Sequence, residues 1–223
     1  MDMKSHHKKL VTVFIADDYP VTRAGIRAIL KEEPTILVVG EAESGFDVKK
    51  MVAELQPKVL LLDLQMPGPT PADLEQWVRQ NFPEIVTLVL TAHARDAYLA
   101  TMMDAGVSGF LSKKEAGRNL ITAILRAADG ECLFSQEQQE RANNWRLEAG
   151  QKWASLSKRE KEVLRHLASG KNSNAIAAEM EVTLKTIAFH IGKILDKLDA
   201  KSRGEAVAWV QKYAPVIFEE DQS

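Results

Sequence analysis

Cysteine is almost absent from this 223-residue chain: Cys132 stands alone, so no internal disulfide can form and a reducing compartment is expected. Long apolar runs are missing too. None approaches the ~20 residues that span a bilayer, which excludes a helical membrane protein. The opening MDMKSHHKKL is polar and basic with no apolar core behind it, so it does not read as a secretory signal, and His6 and His7 within it need no function. A cytoplasmic location is the expectation. Aromatic residues are sparse at 6%, and neither sign of charge dominates, with 29 Lys+Arg against 31 Asp+Glu. That balance conceals an asymmetry. Residues 1–135 carry 15 basic against 18 acidic residues, and residues 151–214 carry 12 against 7. The carboxyl-terminal part is therefore the one suited to a polyanionic partner.

What is present is a pattern of alternating periods. Short β-rich runs fall at 11–16, 36–39, 58–62, 85–90 and 109–111, and helix-period segments lie near 21–32, 46–55, 72–81, 96–104 and 116–128. Five βα units predict a doubly wound α/β domain, a five-stranded parallel sheet with helices on both faces. The runs VLLL and IVTLVL are continuously apolar, as strands buried on both sides should be. Residues 8–132 form this domain. Residues 133–153, rich in Gln, Asn and Glu, read as a linker with a helical candidate at 136–148 and with Trp145 and Trp153 docked on a neighbour. Residues 154–215 read as an all-α domain of four helices, and 216–223 as an acidic tail.

Right-handed crossovers put all strand carboxyl ends on one sheet edge, where open α/β folds bind ligands. Asp17 and Asp18 follow the first strand, Asp63 the third, Thr91 the fourth and Lys113 the fifth. Three carboxylates brought together repel unless a cation intervenes, and all-oxygen ligation by Asp17, Asp18, Asp63 and the Gln65 carbonyl suits Mg²⁺. An acid, a divalent ion, a lysine and a hydroxyl at one point predict phosphoryl transfer to Asp63. Lys113 and Thr91 would contact the transferred group.

In the carboxyl-terminal segment, helices at 158–168, 173–180 and 184–198 are followed by one over 202–213. A three-residue turn ending at Thr183 joins the second to the third, which predicts a helix-turn-helix. Ser157 with Glu160, and Ser202 with Glu205, have capping-box spacing. The third helix buries Ile187, Ile191, Ile194, Leu195 and Leu198, leaving Lys185, Phe189, Gly192, Lys193 and Asp196 on the other face.

With the acidic pair, LLLDLQMPG, the threonine of VLTAH and the lysine of GFLSKKE in place, residues 11–130 resemble the receiver domain (flavodoxin-like) of two-component response regulators. Phe110 matches the family's aromatic switch position, and Pro71 departs from the usual MPGxxG pattern. A haloacid-dehalogenase-like phosphatase would need a second acid where Gln65 stands. A flavodoxin-type cofactor domain would need a phosphate loop where Asp17-Asp18-Tyr19-Pro20 stands. The segment LSKREKEVL…IAAEM…TLKTIAFH…KLDAKSRGEA is similar to the LuxR/FixJ-type DNA-binding domain. Together the two domains resemble response regulators of the NarL/FixJ type.

The resemblance implies a sensor histidine kinase as phosphodonor, double-stranded promoter DNA as target, RNA polymerase as a further candidate partner and a homodimer in the active form. It implies no turnover enzyme. Base readout would fall to Lys185, Lys193 and Phe189, with phosphate contacts from Lys171, Thr183, Thr186 and Lys201, and a structural or phosphate-contacting role for His190. Ala206, Val207 and Val210 are the expected dimerisation stripe, and Phe110 is expected to move inward on phosphorylation. Ala188, Phe189 and Gly192 replace residues that the family often has basic or polar. A helix-turn-helix repurposed for protein binding is therefore the alternative.

Overall fold

The computed structural model describes residues 10–92 and 95–213; the expected acidic tail at 216–223 and the histidines at 6 and 7 lie outside the described residues. Packing divides the chain into two units, with the boundary between Gln138 and Gln139. The first unit holds β1 (Val11–Ala16), α1 (Pro20–Leu30), β2 (Ile36–Ala42), α2 (Gly45–Leu55), β3 (Val59–Leu62), α3 (Pro71–Asn81), β4 (Val86–Thr91), α4 (Asp96–Ala105), β5 (Gly109–Ser112) and α5 (Lys113–Ala128). All strand pairs are parallel, in the order β2-β1-β3-β4-β5. On one face, Val13, Ile15, Val59, Leu61, Leu88 and Leu90 pack with residues of α1 and α5 such as Ile26, Leu30, Leu120 and Ile124.

Most boundaries fall within two residues of the sequence expectation; the end of β2 and the start of α5 differ by three, each for a local reason. β2 runs to Ala42, past a bulge at which Val13 pairs with Val38 but Phe14 pairs with Gly40. A Cβ on Gly40 would stand 2.7 Å from Leu55 Cδ1 of α2 and 2.8 Å from the Phe14 ring of β1, so the close packing there favours glycine. α5 begins at Lys113 instead of 116, because the Ser112 hydroxyl accepts from the Lys114 amide and starts the helix there. Pro71, the departure from the family pattern, takes the first position of α3 behind the Thr70 cap, where a missing amide costs nothing.

The second unit is helical almost throughout. The segment expected as a linker forms α6 (Gln136–Trp145), a π turn (Arg146–Gly150) and α7 (Gln151–Ser155) without a break. Ala142 and Ala149 are buried, the Trp145 indole donates to the Tyr213 carbonyl at 2.7 Å, and Trp153 packs on the core of this unit. Then come α8 (Lys158–Ala168), α9 (Ser173–Glu179), α10 (Leu184–Leu198) and α11 (Arg203–Tyr213). Ser157 and Glu160 make the reciprocal capping box at the start of α8. Burial alone would raise the Glu160 carboxyl, but Lys197 at 2.7 Å and the Ser157 amide outweigh it and hold it below the usual range. That pair ties α8 to α10.

Ala206 and Val210 correct an expectation. They are 0% and 1% exposed, packed with Ile194, Leu198 and Val163 inside their own domain, and Val207 is half-buried against the same core. The stripe on α11 closes a core and is not displayed to a second copy.

Gly40→Ala should lower the unfolding free energy by about 1–3 kcal/mol, since its Cβ overpacks against Phe14. Gly25→Ala, at an exposed position of α1 with nothing within 4 Å of its Cβ, should instead gain roughly 0.5–1 kcal/mol. Denaturant titration of the two variants measures both signs.

Candidate functional site

The acids meet because the backbone ladder continues past the strands. The Asp17 amide donates to the Ala42 carbonyl at 3.1 Å, and the Asp63 amide donates to the Ala16 carbonyl at 2.9 Å. These bonds hold the loops after β1 and β3 side by side. Carboxylate oxygens of Asp17, Asp18 and Asp63 consequently lie within 4.8 Å of one another. Asp17 Oδ1 accepts from the Tyr19 amide at 2.9 Å, and Asp63 Oδ1 accepts from the Leu64 amide at 2.8 Å. Beyond Asp63, Gly68 has φ +124° and lies against the amide of Gly45, so the turn after Pro67 is open only to glycine.

Lys113, the first residue of α5, brings its Nζ to 2.6 Å from Asp63 Oδ2 and 2.7 Å from Asp17 Oδ2. The first contact is a hydrogen bond; the second has ion-pair distance without hydrogen-bond geometry. Thr91 ends β4, buried at the same sheet edge and paired across the ladder with Ser112. Gln65 lies half-buried two residues past Asp63. Four of the five predicted strand-end groups thus form one contiguous ionic cluster, and Thr91 stands on its edge.

One ammonium among three carboxylates leaves surplus negative charge. Burial pushes the Asp63 carboxyl above its ordinary range despite Lys113, and Asp17 adds to the rise. Burial and then the charge of Asp17 raise Asp18. Burial would lower Lys113, but its bonds to Asp17 and Asp63 prevail and raise it. Asp18 Oδ1 is buried with no hydrogen-bond partner. An orphaned acceptor in an oxygen-only cluster of excess negative charge fits a hard divalent cation such as Mg²⁺. Asp17, Asp18 and Asp63 would hold it, with the Gln65 carbonyl as the further donor expected from the sequence.

Two contributors are not evident from strand-end spacing. Arg23 of α1 donates to the Asp17 carbonyl at 2.6 Å and pairs with Glu41 at 3.2 Å, bracing the acidic loop from behind. The exposed Tyr19 ring lies 5.9 Å from Lys113 Nζ. Phe110 is 2% exposed, and its carbonyl accepts from Gln138 Nε2 at 3.0 Å. The ring already stands inside, so the expected inward movement has no distance to cover from this position.

In the second unit, α9 and α10 enclose a turn whose exit is capped by Thr183. Its hydroxyl accepts from the Thr186 amide at 3.1 Å and lies 2.9 Å from the Thr186 hydroxyl. The exposed face of α10 carries Lys185, Phe189, Gly192 and Lys193. His190 is half-buried, edge-on to Phe189 with ring centroids 5.8 Å apart. Lys171, a predicted phosphate contact, is instead gripped by both Glu179 oxygens at 2.6 and 2.8 Å, with His166 at 3.3 Å. Its charge is compensated within the domain.

A parallel sheet with an acid-lysine cluster on its carboxyl edge, followed by a helix-turn-helix unit, defines a receiver joined to a LuxR-type DNA-binding domain. The chain belongs to the response regulators. Residues 13–125 match the family described as response regulator receiver domain, and residues 154–210 match bacterial regulatory proteins of the luxR family. Response regulator protein VraR of Staphylococcus aureus is 29% identical over 199 residues, which covers 89% of this chain and 95% of that protein. An RcsB–DNA complex aligns with TM-score 0.59 and 26% identity over 92% of this chain and 99% of that one. RcsB from Salmonella enterica serovar Typhimurium, bound to a promoter in the presence of the phosphomimetic BeF3⁻, aligns with TM-score 0.61 and 28% identity, covering 91% and 98%. Among the described residues no helix is long and apolar enough to cross a membrane.

The raised carboxyls set a sign for pH and metal effects. Between the ordinary carboxylate value and the raised one, the fold binds more protons than the unfolded chain. The contribution of Asp63 and Asp18 is therefore present below that window and lost as pH rises through it. At pH 7 in metal-free buffer, Asp18→Asn should melt at a higher temperature than wild type. Mg²⁺ should raise the melting temperature of wild type only, with the gain fading on acidification.

Proposed function

We propose that this protein is a phosphorylation-gated transcription regulator of a two-component system, working in the cytoplasm. The observation that carries this is the clustering of the Asp17, Asp18 and Asp63 carboxylates within 4.8 Å with Lys113 among them. Asp63 Oδ1 is held by the Leu64 amide, and Oδ2 faces the Lys113 ammonium. That oxygen attacks the phosphorus carried by a histidine of a sensor kinase. The new bond is an acyl phosphate, and the P–N bond to the kinase histidine breaks, returning the electron pair to the imidazole.

Bound Mg²⁺ would supply positive charge to the phosphoryl oxygens. Lys113, already paired with Asp63, moves its ammonium onto one of those oxygens, and the Thr91 hydroxyl donates to another. The chain accepts one group and loses it slowly to water, so it acts as a switch and is not a turnover enzyme.

Phosphorylation then favours pairing of two copies and binding of duplex DNA by the α9–α10 unit. A coupling of a few kcal/mol inverts such a population. The basic excess of residues 151–214 and the relatives solved on DNA support that reading. The pairing surface lies elsewhere than Ala206 and Val210, and RNA polymerase is a further partner for the bound dimer. The exposed Phe189 sustains the alternative of a helix-turn-helix turned to protein contacts.

Full-length protein given a small-molecule phosphodonor and Mg²⁺ should gain the mass of one phosphoryl group and bind duplex DNA more tightly. Asp63→Asn should show neither change. Mass gained at a different residue, with Asp63→Asn responding like wild type, would contradict the assignment.

A further inference from the structure

α10 presents two adjacent rows of side chains at i, i+4 spacing, and both are exposed. One row is Lys185, Phe189 and Lys193. The other is Leu184, Ala188 and Gly192, three residues of falling size, and it ends in the exposed Asp196. Phe189 is 61% exposed and Leu184 51%. With the exposed Ala188 they form an apolar strip beside the two lysines. The Lys193 ammonium lies 5.9 Å from the Phe189 ring, and His190 meets the same ring edge-on. A Cβ on Gly192 would meet nothing within 4 Å, so the backbone there is bare.

The chemistry of this face is narrow. It has no Asn, Gln, Arg or Ser between positions 184 and 193, so the amide and guanidinium groups that make bidentate contacts with adenine or guanine are absent. Beside the half-buried Thr186 and His190, its exposed side chains offer a base edge two ammonium groups and an apolar strip. The two lysines suit a polyanion, while the acids nearest the face, Glu181 in the turn before α10 and Asp196 in its last turn, stand at the two ends of the helix. In a duplex major groove the one apolar group on a base edge is the 5-methyl of thymine.

The geometry points to a recognition helix that reads thymine 5-methyl groups, with Phe189 as the main specificity-determining residue and Leu184 beside it. Lys185 and Lys193 bracket the ring and bind phosphate. Ala188 and Gly192 add little or no bulk, so the helix backbone can approach the bases along that row. This rests on the DNA-binding reading above and names its target class, half-sites in which thymine methyls line the floor of the groove.

The test uses full-length protein with Mg²⁺ and a phosphodonor. Duplexes are first selected from a random-sequence pool, and each selected duplex is then resynthesised with deoxyuridine at one thymine at a time, which deletes only the methyl. At one or two thymines per half-site, wild-type affinity should fall about fourfold. Phe189→Ala should lose that sensitivity, and Leu184→Ala should lose it at the neighbouring thymine. Lys185→Ala should weaken every duplex alike and flatten the salt dependence. If wild type binds the selected duplexes and tolerates uracil at every position, methyl readout is overturned and DNA binding stands. If no duplex is enriched from the pool, the DNA-binding reading falls and takes this inference with it.

Discussion

The contact on which the rest depends is Lys113 set between Asp63 and Asp17 at the carboxyl edge of the sheet. Burying carboxylates costs several kcal/mol each unless an opposite charge is close. Here the fold brings three of them together and supplies one ammonium, so the cluster is held at a charge deficit that a second cation relieves. The ladder bonds from Asp17 to Ala42 and from Asp63 to Ala16 prevent the acids from spreading apart. Arg23, anchored by Glu41, grips the carbonyl of Asp17 and removes another route of escape. The repulsion is therefore built into the backbone. A site of this kind responds to small additions of charge, and a phosphoryl group on Asp63 is a large one.

The second unit is assembled on different terms. Its core is small and apolar, and its polar ties, among them helix caps, the Glu160–Lys197 pair and the Trp145–Tyr213 bond, are internal to the domain. Lys171 is likewise satisfied by Glu179. Two exposed lysines and a bare aromatic remain on α10. Such a face makes modest contact as a single copy, since each lysine–phosphate contact is screened by salt. Pairing two copies on one duplex would compensate, and under the proposed function that is the step phosphorylation controls.

Much of this was legible in the order of residues. Strands buried on both faces left apolar runs, and the rule that crossovers are right-handed turned five dispersed residues into one expected site. Asp17, Asp18, Asp63 and Lys113 could be grouped because each immediately follows a strand, so small errors in strand length did not move them. The acidic loop's brace was not legible, since Arg23 and Glu41 are distant in sequence and have no motif of their own. The end of β2 was hidden by a bulge and by its polar Gly-Glu-Ala. The segment 133–153 looked like a linker by composition, yet Ala142, Trp145, Ala149 and Trp153 lie three or four residues apart, the spacing of one helical stripe. On α11 periodicity identified the apolar face correctly but could not say what covers it. Ala206 and Val210 turned out to close the domain's own core.

The central claim is that the three aspartates share one divalent ion beside Lys113. Anomalous scattering from crystals of the full chain soaked in Mn²⁺, a stand-in of the same charge and ligand preference, tests it most directly. The account predicts a single strong peak among the carboxylate oxygens of Asp17, Asp18 and Asp63. A peak bound elsewhere on the chain, with those oxygens left to Lys113 alone, would contradict it.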